Sequence, residues 1–402
     1  MRDQSLRRDG APRHDTDSES DVANDARRLR APLPVDGRRA LWPLHARHGG
    51  GARASIGANE DERALSRGRE RSPRGGCPDG VAQRTVGGLG SPRGLRFDAH
   101  VPDGGYAWFY LDAVSDDAAH ALVIIALLGN PFSPAYARAR ARLGASPRVE
   151  PLDFSAMNVA LHGPRTSKWA LTERRRDAVR RTASELCIGA SSIARDGDDL
   201  EVRIDETTAP WASPLRGTVR VSATSRSAEV VALDARGRHV WTPHVPSARV
   251  HVTMTTPAVS FRGHAYFDAN AGDEPLESAF DRWTWWRAPR AARGAAIGFD
   301  LVARGGEVRS VSRALDGQGR ITSLDPAPRM RLSPSAWRLP RDVPAQGARV
   351  VRTLTDAPFY ARTLVDGRFA GEQAIAMHET LSLERLRSSW VRTLLPFRMR
   401  KG

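Results

Sequence analysis

The stretch GHAYFDANAGDEPLESAFDRWTWWRA, Gly263 to Ala288, holds the side chains best suited to chemistry. It opens as a strand, and the two-residue strand period puts Tyr266 and Asp268 on one face before an expected turn through Asn270, Ala271 and Gly272. A carboxyl beside an aromatic ring on an inward face is placed for acid/base work; the competing reading is an Asp268 that only accepts hydrogen bonds from its own turn. Asp273 and Glu274 faintly suggest a metal-diphosphate motif but lack its spacing, and two acids before Pro275 read more simply as N-terminal charges of a helix. In RHVWTP, Arg238 to Pro243, His239 and Trp241 share a strand face, either as a site or as an ordinary core aromatic beside a satisfied histidine. Trp283, Trp285 and Trp286 read first as packing between units and second as a pocket wall.

Other chemistries lack their signatures. The sequence has no GxxxxGK followed by Ser or Thr, and no GxGxxG leading from a strand into a helix, so nucleotide chemistry is not expected. It has no HExxH, and among its 11 histidines His239, His244 and His251 are close in sequence, but His251 alternates out of its strand; no metal is expected. A GxSxG elbow is missing too, which argues against ester hydrolysis.

The elements that must position these residues read as short strands. Leu200, Val202 and Ile204 alternate with Glu201, Arg203 and Asp205, and Val250, Val252 and Met254 with Arg249, His251 and Thr253. Turn signals stand at Asp196-Gly197, Arg236-Gly237, Asp316-Gly317 and Asp366-Gly367. The fold class expected is all-β, mainly antiparallel, as meandering barrels or sandwiches. Short amphipathic helices are expected at Tyr136 to Leu143, Thr172 to Leu186 and Leu383 to Leu395; the last would be a lid over a barrel mouth or a helix lying on lipid.

Length and composition set the frame. A chain of 402 residues exceeds one core, so two domains and a tail are expected, the tail being residues 1–95, whose Arg, Asp, Gly, Pro and Ser show no sustained period. The net charge of +15 is nearly all arginine, with only Lys168 and Lys401 as lysines, and is spread among 46 acids; no nucleic-acid partner is expected, although a basic surface favours anionic lipid. Two cysteines, Cys77 and Cys187, build no disulfide framework. The start, MRDQSLRRDGAPRHD, has no apolar signal region, and the longest apolar run, Ala121 to Leu128, is far short of the ~20 residues that span a bilayer. A cytoplasmic protein, peripheral at the inner or photosynthetic membrane, is the expectation.

Six collinear segments carry a resemblance: FDAHVPDGGYAWFYLDA (Phe97 to Ala113), GNPFSPAYARAR (Gly129 to Arg140), MNVALHG (Met157 to Gly163), IDETTAPWASPLRGTV (Ile204 to Val219), HVWTP and GHAYFDANAGDEPLE. Together they resemble bacterial carotenoid 1,2-hydratases, the hydroxyneurosporene synthase family. The resemblance implies two lipocalin-like β-barrel units, placed here at 96–265 and 266–396. It implies cofactor-free addition of water across the terminal C1-C2 double bond of an acyclic carotenoid, giving a tertiary alcohol. It also implies an active constellation at His239, Trp241, Tyr266 and Asp268.

An unactivated trisubstituted alkene must first be protonated to a tertiary cation. An aspartic acid does this only if burial lifts its pKa from about 3.9. Asp268 is therefore the expected proton donor, with the rings of Trp241 and Tyr266 facing the cation and His239 orienting or deprotonating water. A non-catalytic isoprenoid carrier is the alternative from another class; a glycosidase using Asp268 and Glu274 is poorer, since nothing marks a sugar cleft.

Overall fold

Two mainly antiparallel sheets form most of the structure, a computed structural model that describes residues 94–142, 149–291 and 293–402, all within one compact unit. The strands of the first sheet are β1 (Tyr106–Ser115), β2 (Ala121–Leu128), β3 (Ser155–His162), β4 (Ser167–Arg174), β5 (Val179–Arg181), β6 (Glu185–Ile188), β7 (Ser191–Asp196), β8 (Asp199–Thr207), β9 (Pro214–Ser225), β10 (Val231–Ala232), β11 (His239–Thr256) and β12 (Ala258–Gly272). The second half adds β13 (Phe280–Arg290), β14 (Gly294–Ala303), β15 (Val308–Leu315), β16 (Ile321–Ser323), the small pair β17 (Met330–Leu332) and β18 (Arg341–Val343), then β19 (Ala345–Asp356), β20 (Tyr360–Phe369), β21 (Glu372–Ser382) and β22 (Arg400–Lys401).

Strand order is β22-β4-β3-β2-β1-β12-β11-β9-β8-β7-β6-β5 in the first sheet, with β10 beside β11, and β16-β15-β14-β13-β21-β20-β19 in the second. Nearly every neighbour is a sequence neighbour, the up-and-down connectivity of lipocalin barrels. The expected mainly antiparallel β class is the class observed, as curled half-barrels. In the first, curling brings β4 against β8, where Arg174 pairs with Glu206 at 3.0 Å.

Packing explains where alternation is visible. On β8, Leu200, Val202 and Ile204 are buried and Glu201 and Arg203 exposed, because the outer face meets water. On β1, β2 and the end of β12 nearly every residue is buried, because the second sheet covers that outer face. Two cores result. Phe97, Phe109, Leu111, Ile124 and Phe267 fill the curl of the first sheet, while Tyr106, Tyr110, Trp241, Tyr266, Trp283, Trp285 and Phe299 pack between the sheets. β11 serves both through register shifts between Thr242, Val245 and Ala248, where Pro243 and Pro246, lacking an N–H, suit an interrupted ladder.

A buried ion pair links the sheets: Arg287 of β13, 2% exposed, donates through Nε (3.2 Å) and Nη2 to Asp112 of β1, 0% exposed. The C-terminal segment also spans them. After β21, helices Leu383–Arg387 and Ser389–Leu394 bury Leu383, Leu386 and Val391 in the inter-sheet core, and β22 then pairs with β4.

Several local expectations are corrected. Thr172 to Leu186 is not a helix: Thr172 to Arg174 complete β4, and a 3-10 turn leads into β5 and β6. Ladder bonding to β3 and the Thr182 hydroxyl, which accepts the N–H of Glu185 at 3.0 Å, outweigh helix propensity there. The Asp366-Gly367 turn is the interior of β20, where Gly367 lets Ala348 approach, and the hairpin turns instead at Ala370-Gly371, both at positive φ. The C-terminal helix breaks at Ser388, which is extended. Asn270 to Gly272 remain strand, and the boundary drawn between 265 and 266 falls inside β12; the chain changes sheets after Gly272. The expected Tyr136 helix is observed over Pro134–Arg142. The expected arm, 1–95, lies outside the described residues except for Gly94 and Leu95, and Leu95 is buried in the first core.

Candidate active site

The adjacent strands β11 and β12 hold all four residues singled out from the sequence. Register pairs His239 with Gly272 and Trp241 with Asn270, so the inter-sheet face carries His239 and Trp241 from one strand and Tyr266 and Asp268 from the other. The Trp241 indole N–H lies 3.0 Å from Tyr266 Oη and 2.9 Å from Asp268 Oδ2, donating to both. Tyr266 Oη donates in turn to the same Oδ2 at 2.7 Å. Asp268 therefore does not serve its own turn.

Its surroundings set its protonation. Asp268 is 2% exposed, and burial pushes its carboxyl up to about 8, against the lowering effect of hydrogen bonds from Tyr266 and Trp241; charges on Asp112 and Glu379 push the same way as burial. At neutral pH the carboxyl holds its proton. Both donors use Oδ2, while buried Oδ1 has no hydrogen-bond partner among the described residues, so the proton belongs on Oδ1. Burial likewise drives the Tyr266 hydroxyl far above its ordinary value, so it stays a donor.

His239 is completely buried but is tied elsewhere. Its Nδ1 is 2.8 Å from Tyr106 Oη and its Nε2 is 3.4 Å from Glu274 Oε1. Contact with His239, opposed by burial and helped by the Arg238 charge, holds Glu274 below the usual carboxylate range. Gly272 makes this packing possible: a Cβ there would lie 2.6 Å from the Tyr106 ring and 2.7 Å from His239 Nδ1. Asp273 and Glu274 pair with Arg238 at 2.7 Å each, ahead of the short helix Leu276–Ala279.

A cavity of about 70 Å³ lies between the sheets, and of the four residues only Asp268 lines it, beside Asn270. The ring walls are Trp108 and Tyr110 from β1, Trp283 and Trp285 from β13, and Phe299 from β14, and Tyr360 from β20 and Glu379 from β21 also line it. Trp241 and Tyr266 stand behind the carboxyl. Trp283 and Trp285 thus serve as packing and as wall, while Trp286 points the other way, onto Phe369. Sequence reasoning missed Trp108 and Tyr110, although their shared strand face in YAWFYLDA was a usable signal, and it missed Glu379, which had none.

The β scaffold thus holds a protonated carboxyl, shielded from water, against a wall of aromatic rings. Residues 124–402 match the sequence profile of the family described as "Carotenoid hydratase CrtC". The chain is 43% identical over 388 residues to the acyclic carotenoid 1,2-hydratase of Thiocapsa roseopersicina, covering 96% of this chain and 95% of that one. It is 38% identical over 380 residues to the protein of the same name from Rubrivivax gelatinosus, covering 94% and 93%. A third, from Cereibacter sphaeroides, is 34% identical over 69% of this chain and 97% of its own. This chain belongs to the carotenoid hydratase family, and as such is an enzyme of the hydro-lyase class.

Proposed function

We propose that this protein adds water to the terminal C1-C2 double bond of acyclic carotenoids such as neurosporene and lycopene, giving tertiary 1-hydroxy products. The observation that carries this reading is the buried Asp268 carboxyl, protonated at neutral pH, with both hydrogen-bond donors on Oδ2 and with Oδ1 left for a substrate. The O–H bond at Oδ1 breaks as the alkene π pair takes the proton at C2, and the positive charge forms at C1. Ring faces of Trp108, Trp283 and Trp285 suit that cation, each worth about 0.5–2 kcal/mol when desolvated. Trp241 and Tyr266 fix the carboxyl and add electron-rich rings behind it. Water then joins C1 and loses a proton. His239, buried between Tyr106 and the partly exposed Glu274, suits the return of a proton to the site. No cofactor enters, because the sum is alkene plus water.

Incubation of the purified protein with neurosporene or lycopene in lipid, without added cofactor, tests this directly. A tertiary hydroxyl in the product is expected; unchanged pigment that nevertheless binds would make the protein a carrier.

Peripheral membrane contact belongs to the same reading, because the substrate is a lipid. Among the described residues no helix is long and apolar enough to cross a membrane. Trp390 and Phe397 on the C-terminal segment are 47% and 68% exposed, with Arg392 near them in sequence, the mix that suits an interface. Replacing both aromatics by Ala is expected to lower co-sedimentation with anionic vesicles severalfold; unchanged binding would remove this segment from the contact.

A further inference from the structure

Asp268 is not the only carboxyl on the cavity. Glu379 of β21 lines it from the second sheet, and its setting is the reverse of that of Asp268. Arg362, directly opposite it in the β20-β21 register and 2% exposed, donates through Nε to Oε1 at 2.7 Å. Tyr110 Oη donates to the same Oε1, also at 2.7 Å. A guanidinium in contact matches the carboxylate form, where Asp268 meets only neutral donors. With two donors on Oε1, Oε2 is the oxygen left for another partner. Tyr360, on the same face of β20 as Arg362, also lines the cavity, and its buried hydroxyl stands beside Glu379 and Arg362 without a well-aligned hydrogen bond to any described residue. His239, the sequence choice for handling water, does not line the cavity.

We infer that Glu379, with the Tyr360 hydroxyl, holds the attacking water and takes its proton, making it a catalytic residue that enters the cavity from the other sheet than Asp268 does. This rests on the reading of Asp268 as proton donor. Once Asp268 has protonated C2, the water oxygen bonds to C1 and becomes a strongly acidic oxonium. The O–H bond breaks, its proton passes to Glu379, and the tertiary alcohol leaves. Exchange with solvent strips Glu379 and reprotonates Asp268, so that alkene and water are the only species consumed. Two carboxyls in one apolar cavity, one neutral and one ion-paired, supply the acid and the base of a single hydration.

The test is performed in D₂O with the full chain, following both alcohol formation and deuterium in the recovered alkene. Asp268→Asn is expected to lose both readouts, because no cation forms. Glu379→Gln is expected to lose hydration by about 10²–10⁴-fold, while the recovered alkene still gains deuterium from a cation that forms and collapses back. A ratio of deuterium uptake to alcohol at least ~10-fold above that of the wild type supports the assignment. Equal loss of both readouts in a folded Glu379→Gln variant, or hydration within ~3-fold of wild type, overturns it. Because a neutral amide in place of the Glu379 carboxylate would leave the Arg362 charge buried and unpaired, Glu379→Gln/Arg362→Met is measured alongside. If neither folds, Tyr360→Phe decides by the same ratio: a rise supports the water site and an unchanged ratio overturns it. Activity surviving in Asp268→Asn would instead sink the proton-donor reading, and the deuterium pattern of the Glu379 variants keeps the two failures apart.

Discussion

Tyr266 Oη donates to Asp268 Oδ2 at 2.7 Å from two residues away on the same strand, and this hydrogen bond is the largest of the influences that oppose burial in setting the carboxyl's pKa. Removing it therefore has a directional consequence. In Tyr266→Phe the carboxyl loses a lowering influence, so the alkaline limb of the pH–rate profile is expected to move up. The maximal rate should fall by about 10–100-fold as the proton on Oδ1 loses its fixed direction. A limb that moved down would show that Asp268 is not the titrating group.

The unmodified enzyme should lose activity as pH rises through about 8, where Asp268 gives up its proton. The same shift couples to stability. The native carboxyl keeps its proton up to about 8, whereas in the unfolded chain it releases it near 3.9, so this group's contribution to stability is lost as pH rises between those values. Asp268→Asn removes that loss. Unfolding measured at pH 4.5 and 8.5 should show the variant gaining on wild type by roughly a few kcal/mol at the higher pH, with activity abolished at both.

Asp112 and Arg287 form an ion pair that is almost wholly buried between the sheets, with His264 Nδ1 3.2 Å from the guanidinium. Breaking it from one side strands a charge. Asp112→Leu or Arg287→Met alone is expected to cost about 3–5 kcal/mol, and the double replacement much less, since two apolar side chains demand no solvation. Denaturant unfolding of the four proteins measures the coupling, and additive losses would refute it.

Gly272 has neighbours that leave no room for a side chain. Its missing Cβ would sit 2.6 Å from the Tyr106 ring and 2.7 Å from His239 Nδ1, both rings held in the core. Gly272→Ala should displace His239 and lower kcat by at least tenfold while much of the fold survives. Wild-type kinetics in this variant would remove His239 and Tyr106 from the working site.

The residue order by itself was enough for the antiparallel β class, the alternating strands β8 and β11, and the pairing of Tyr266 with Asp268 and of His239 with Trp241 on common faces, since a period of two is a local property of the backbone. It was also enough for the family, because six segments in order are a specific signature. Tertiary structure decided which of those faces meets the other sheet. β1 and β2 are buried on both sides, so their sequences show no alternation from which the covered face could be read. It decided that Arg-rich Thr172 to Leu186 would be strands, because ladder bonding of β4 to β3 and of β5 to β6 outcompetes helix propensity. And it decided the composition of the cavity, in which Trp108, Tyr110, Trp285 and Glu379 join Asp268 from segments up to 271 residues apart. A lone glutamate in AMHETLS carries no local mark of chemistry; only the packing of the second sheet on β1, where Tyr110 meets Glu379, brings it to the same apolar space.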